Sequence, residues 1–289
     1  MKKNLILTSA LVLVTMSVAH ASLIMYEGFN YAVPSTSPDP DGGLNGGNGL
    51  PATNVGGTPS GTSTGFRGNW GTTTNVVAGL TYGSLLTTGG AARINVAGWS
   101  STATSYRFIT SDPFLSNRVV ANGAFGVDGQ SLYFSLLANS SSATAAAFSF
   151  ALSGSTNVFV ENTATTWTLN NNKSGAVAST GSFAINTTAL LVIRADFAPG
   201  ATDTLSLWVN PTIGSSLGTP NATIAGTANF TFNQLTTRSE VANAMTFDEF
   251  RMGTTFAAVT PIPEPSAFAA LAGFAVLGLA ATRRRRSRQ

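Results

Sequence analysis

Along the body of the chain, several stretches alternate apolar and polar positions. Leu132, Phe134 and Leu136 fall on one side, with Tyr133 and Ser135 between them. In Ala147–Leu152, Phe148, Phe150 and Leu152 share a side opposite Ser149 and Ala151. Leu190–Phe197 directs Leu191, Ile193 and Phe197 inward and Arg194 and Asp196 outward, and Thr204–Val209 buries Leu205, Leu207 and Val209. A period of two is that of a half-buried strand, and the body of the chain shows no sustained 3.6-residue period. Asn122-Gly123, Asp128-Gly129, Pro199-Gly200 and Asn210-Pro211 punctuate these stretches as turns. Many short strands with no helix pattern between them predict an all-β fold over residues 22–260, a two-sheet jelly-roll sandwich. Residues 34–65, dominated by Gly, Pro, Asn, Thr and Ser, read as a long surface loop, and Thr254–Pro261 as a short linker.

Two segments break the alternation with continuous apolar runs. Near the start, Lys2 and Lys3 precede Leu5–Val18, and Ala19-His20-Ala21 follows before Ser22. Charge, apolar run and small-x-small site in that order define a secretory signal peptide over residues 1–21, cut by signal peptidase so that the mature chain begins at Ser22. At the other end Ala267–Ala281 carries no charge, and a helix of that length rises about 22 Å. This is a marginal membrane span. It reaches across if residues 266–282 are all used and the arginines after it snorkel. Arg283, Arg284, Arg285, Arg286 and Arg288 form a stop that stays on the cytoplasmic side, leaving everything before Pro261 outside.

The ends also account for the charge. The chain has 15 Lys and Arg against 12 Asp and Glu. The basic excess lies in the signal and the tail, so residues 22–260 keep eight basic and eleven acidic residues, a net charge of −3. Nucleic acid, which demands a clustered basic face, is not an expected partner. There is no cysteine, and the one histidine, His20, leaves with the signal. Ser-His-Asp and Cys-His catalysis and histidine or thiolate zinc sites are thereby excluded from the mature protein.

Pro263-Glu264-Pro265, the apolar run and the terminal arginines together resemble the PEP-CTERM sorting signal of bacterial exosortase substrates. The resemblance covers residues 261–289. It implies export, transient anchoring in the membrane, cleavage near Glu264 by a membrane-embedded cysteine protease, and release to the cell surface or extracellular matrix.

A second resemblance concerns the ectodomain. Leu23–Tyr31, the loop closing on Gly65-Phe66-Arg67-Gly68-Asn69-Trp70, the strand Leu205–Pro211 and the closing strand Thr246–Arg251 are similar to landmarks of concanavalin A-like, or LamG-like, sandwiches. In such folds the first and last strands lie together, and related members hold a structural calcium there. Glu27 and Asp248 sit at comparable places, and calcium takes carboxylate and carbonyl oxygens. The other reading makes both of them capping or edge-strand carboxylates. Asp39 and Asp41 in the long loop are two carboxylates without the later ligands of a calcium loop.

Some sandwiches of this shape are glucanases with an E-x-D-x-E strand, which this chain lacks. Asp112, Asp128, Glu161, Asp196 and Asp203 are isolated, and Asp248-Glu249 would point to opposite faces of a strand. A glycoside hydrolase is therefore the least favoured class. A non-catalytic structural or adhesive protein leads, with a carbohydrate-binding module as the alternative and extracellular polysaccharide as its partner. For that alternative Trp208 is the candidate sugar platform, lying on the Ser206 side of its strand; if a further layer covers that side, it is a core residue instead. Trp70, Trp99 and Trp167, flanked by small and polar residues, suit a loop or an edge.

Overall fold

The computed structural model describes residues 23–29, 66–67, 74–87, 90–94, 104–108, 124–143, 146–151, 158–171, 175–200, 202–227, 230–232, 234–239, 241 and 244–262. The signal peptide with Ala19, Ala21 and Ser22, the loop 34–65, Trp70, Trp99, Asp112 and the tail from Pro263 onward lie outside them.

Two antiparallel sheets face each other. The first runs β13 (Ala222–Thr227), β12 (Asp203–Val209), β11 (Ala189–Asp196), β6 (Ser131–Ser140), β15 (Met245–Gly253), β4 (Gly90–Ile94) and β3 (Thr74–Ala78). Its β15 pairs with β6 along one edge; along the other it meets β4 at Thr246–Phe247 and then β1 (Leu23–Glu27) at Phe250–Gly253. First and last strands thus lie side by side, as expected. The second sheet runs β10 (Gly175–Ser182), β9 (Thr166–Asn171), β8 (Val158–Asn162), β7 (Ala146–Ala151), β14 (Gln234–Ser239), β5 (Thr104–Phe108) and β2 (Phe66–Arg67).

The core fills the space between the sheets. Leu132, Phe134 and Leu136 of β6, Leu191 and Ile193 of β11, Leu205 and Leu207 of β12 and Phe247, Phe250 and Met252 of β15 meet Val158, Val160, Trp167 and Leu169 of the second sheet. Phe197, Phe230, Phe232 and Phe125 close one part of it as a stacked series, with ring centroids 6.1, 5.4 and 5.5 Å apart. Buried Asp203 fastens this region: its Oδ1 accepts from the Ala198 N–H and its Oδ2 from the Phe230 N–H. The Pro199-Gly200 turn that it caps requires glycine, because Gly200 has φ +79°.

The first sheet is covered on its far side too. Leu137, Leu190, Val192 and Trp208 form a second apolar cluster with Leu85, packed against Leu80, Tyr82, Ile213, Leu217 and Phe256. Leu190-Leu191-Val192-Ile193 is a continuous apolar run because β11 is buried on both faces. The cover consists of residues 79–87, the β12–β13 loop and α1 (Phe256–Val259).

That helix corrects one expectation: Thr254–Pro261 is not a free linker. Thr255 caps α1, its Oγ1 accepting from the Ala258 N–H, and Val259 and Thr260 are buried. Ser135 Oγ donates to the Val259 carbonyl, and the Leu86 N–H donates to the Pro261 carbonyl at 2.9 Å. A single helical turn is too short to write a period into the sequence.

Candidate functional site

Two features of the sandwich carry polar chemistry, one buried and one outward-facing. The buried one begins with a bulge in β15. Its register against β6 passes from Asp248 opposite Leu137 to Arg251 opposite Ser135, and Glu249 takes φ +55°. Phe250 is thereby returned to the core, while Asp248 and Glu249 both engage the covered far side. The expectation that these two carboxylates point to opposite faces is corrected, because a bulge inserts a residue and resets the alternation.

Beneath residues 79–87, Asp248 Oδ2 accepts from the Leu80 N–H at 2.8 Å and its Oδ1 from the Glu249 N–H at 2.7 Å. Glu249 accepts from the Tyr26 hydroxyl at 2.9 Å and forms a buried ion pair with Arg251, whose guanidinium also donates to the Leu86 carbonyl. The guanidinium sits 4.9 Å from the Tyr26 ring centroid, and its other terminal nitrogen is buried without a hydrogen-bond partner. Burial pushes the Asp248 carboxyl up to about 8. The charge of Glu249 adds to this, while the two N–H donors and Arg251 oppose it.

Glu27 is equally buried, its Oε1 accepting from the Phe29 N–H at 2.8 Å. Neither carboxylate is on an edge in the sense that exposes it to solvent. Both Asp248 oxygens and Glu27 Oε1 accept backbone N–H groups, and among the described residues no three acidic side chains gather. With six to eight oxygens needed, this donor set does not fit calcium.

Trp208 is not a sugar platform. It is 7% exposed under the covering layer, and its Nε1 donates to the Gly218 carbonyl at 2.8 Å. Trp167 is not in a loop or at an exposed edge either: it is fully buried in β9, edge-on to Phe183. Small polar neighbours misled the reading because strand flanks and turns share that composition.

The outward feature is the far side of the second sheet. Val158, Val160 and Leu169 fix which positions face the core, so Glu161 and Asn170 lie on the other side. Both are half-buried, with Asn170 Nδ2 donating to Glu161 Oε1 at 3.3 Å. Following the register across the sheet, the positions in line with them are Thr168, Ala176 and Ala178 on one flank, Phe159, Ala147, Ser149 and Ala151 in the middle, and Gln234, Thr236, Arg238, Ser105, Arg107 and Arg67 on the other. Arg67 stands directly opposite Arg107, and Gln234 opposite Arg107 on its other flank. Three of the eight basic residues between 22 and 260 thus occupy one side of β2, β5 and β14. No sequence motif announces this grouping, since the three arginines are scattered over 172 positions.

The fold defines a class: an antiparallel two-sheet β-sandwich whose first sheet carries a covering layer on its far side. No family model matches the chain, and no curated protein matches it. Among solved structures, an endo-β-1,4-glucuronan lyase of the fungus Trichoderma reesei is 12% identical, covering 65% of this chain and 90% of its own, with a TM-score of 0.40. An alginate lyase of Aplysia kurodai is 11% identical, covering 73% and 98%, with a TM-score of 0.41. A galectin of Caenorhabditis elegans is 11% identical, covering 45% and 88%, with a TM-score of 0.32. At these identities and TM-scores no residue role or activity follows from the likeness.

Proposed function

We propose that this chain is an exported, exosortase-sorted surface or matrix protein whose sandwich is a non-catalytic adhesive module, binding anionic polysaccharide on the outer side of its second sheet. The observation that supports this reading most is the Arg67–Arg107 register pair. Like charges directly opposite on neighbouring strands destabilise a sheet, and an anion bound between them would offset that repulsion. A polyuronate supplies carboxylates at regular intervals along an extended chain. The flanking Gln234, Ser149, Thr236 and Asn170 positions offer the hydrogen-bonding groups that sugar hydroxyls take.

Binding is favoured over turnover by what the face holds. Hydrolysis of a glycosidic bond takes two carboxyl groups flanking it, and Glu161 is the single acidic residue at these positions. Asp203 and Asp248 are committed to backbone N–H groups inside the fold.

The test is retention of the Ser22–Ile262 fragment on gels cast with alginate or polygalacturonate, beside a neutral glucan. Slowed migration in the acidic gels that is lost on Arg107→Ala, with no rise in reducing ends or in absorbance from unsaturated uronates, is the expected result. Free migration in both acidic gels, or product formation, would refute it.

A further inference from the structure

The point at which the tail leaves the sandwich is fixed. α1 is packed under β15 and β6; the Val259 carbonyl is held by Ser135 Oγ, Thr260 N–H and Oγ1 both donate to the Phe256 carbonyl, and the Pro261 carbonyl is held by the Leu86 N–H. Ordered chain therefore continues to within one residue of Pro263. Next to that exit lies an apolar edge. Leu86 is 52% and Ile262 41% exposed, two of only five large apolar side chains exposed to that degree among the described residues. The Leu86–Pro261 backbone hydrogen bond places residue 86 beside the residue preceding Ile262, and Ile262 Cδ1 reaches toward Gly214 of the β12–β13 loop.

From Ile262 to Ala267, where the uncharged run begins, the chain spans five residues, at most about 18 Å even when fully extended. Pro263 and Pro265 lock two of the φ angles in that stretch and stiffen it. We infer that Phe256–Pro261 is a rigid mount that seats the Leu86–Ile262 edge of the sandwich on the lipid surface while the tail is in the membrane. The partner is the interface of a lipid bilayer, recognised by apolar contact. This rests on the reading of residues 266–282 as a membrane segment. It has a mechanical consequence: the Pro-Glu-Pro turn is presented to its protease at a set height and not on a slack tether. The second sheet, on the opposite layer, is kept clear of the bilayer.

The absence of cysteine makes a site-specific probe direct. The full-length protein carrying Leu86→Cys is labelled with an environment-sensitive fluorophore and reconstituted into phosphatidylcholine vesicles containing a lipid quencher labelled near the headgroup. Thr163→Cys, in the exposed β8–β9 turn of the other sheet, serves as the control. The expected result is about twofold quenching at position 86, the depth of interfacial insertion, and none at 163. Inserting ten Gly/Ser residues after Ile262 should abolish the quenching without releasing the protein. Protein that stays with the vesicles through an alkaline carbonate wash but shows equal, weak quenching at both positions overturns the mount alone. Protein that washes off overturns the membrane reading of the tail and the mount with it.

Discussion

Stability should fall as pH rises from 5 to 8, and Asp248 is the cause. Its folded-state carboxyl sits at about 8 against an ordinary 3.8, because it is fully buried beneath residues 79–87 and next to Glu249. Below the ordinary value the group is protonated in both states and the folded state keeps its full stability. Between the two values the unfolded chain releases the proton and the folded chain retains it, so each pH unit favours unfolding by about 1.4 kcal/mol. Three units, from pH 5 to pH 8, amount to about 4 kcal/mol, a large share of a typical domain's stability. The window is unusually clean. Cysteine is absent and His20 precedes Ser22, so the Ser22–Ile262 fragment has no histidine or thiol to titrate there. Urea unfolding of the Ser22–Ile262 fragment, followed by tryptophan fluorescence at half-unit pH intervals, measures the slope. Asp248→Asn stays neutral throughout, so its stability should be level across the window whatever its offset from wild type. A level wild-type profile, or a slope that persists in Asp248→Asn, would refute the assignment.

Two further outcomes test the packing. A methyl group added at Gly181 would overlap Val209 Cβ and Cγ2 of the facing sheet, so Gly181→Ala should lower unfolding free energy by about 1–3 kcal/mol in the same urea assay. Trp208→Ala empties the second apolar cluster and orphans the Gly218 carbonyl. It should cost about 3–5 kcal/mol in that assay while leaving retention in the alginate gel unchanged for the protein that remains folded.

The alternation of Leu132–Leu137, Leu190–Phe197 and Thr204–Val209 was legible because a half-buried strand writes its period directly into sequence, and these are β6, β11 and β12 with the inward residues in the core. The second apolar layer was not. Leu80, Tyr82 and Leu85 lie in an irregular segment with no period to read, and only Leu190 and Val192, apolar where polar residues were due, hinted that β11 is covered twice. That missing layer is why Trp208 could be read both as a platform and as a core residue. The bulge at Glu249 was invisible for a related reason: a positive φ at a glutamate leaves no compositional mark. The grouping of Arg67, Arg107 and Arg238 follows from strand order, and antiparallel pairing between strands far apart in sequence is set by the whole fold.

The central claim, a folded sandwich delivered to the outside by two processed ends, is tested most directly by the intact mass of the protein recovered from the membrane and from the medium of its native host. The account predicts a released species that begins at Ser22 and ends between Pro263 and Pro265, with any membrane-bound form retaining Arg283–Arg288. A released species that keeps those arginines, or a membrane form that is never shortened, would contradict it.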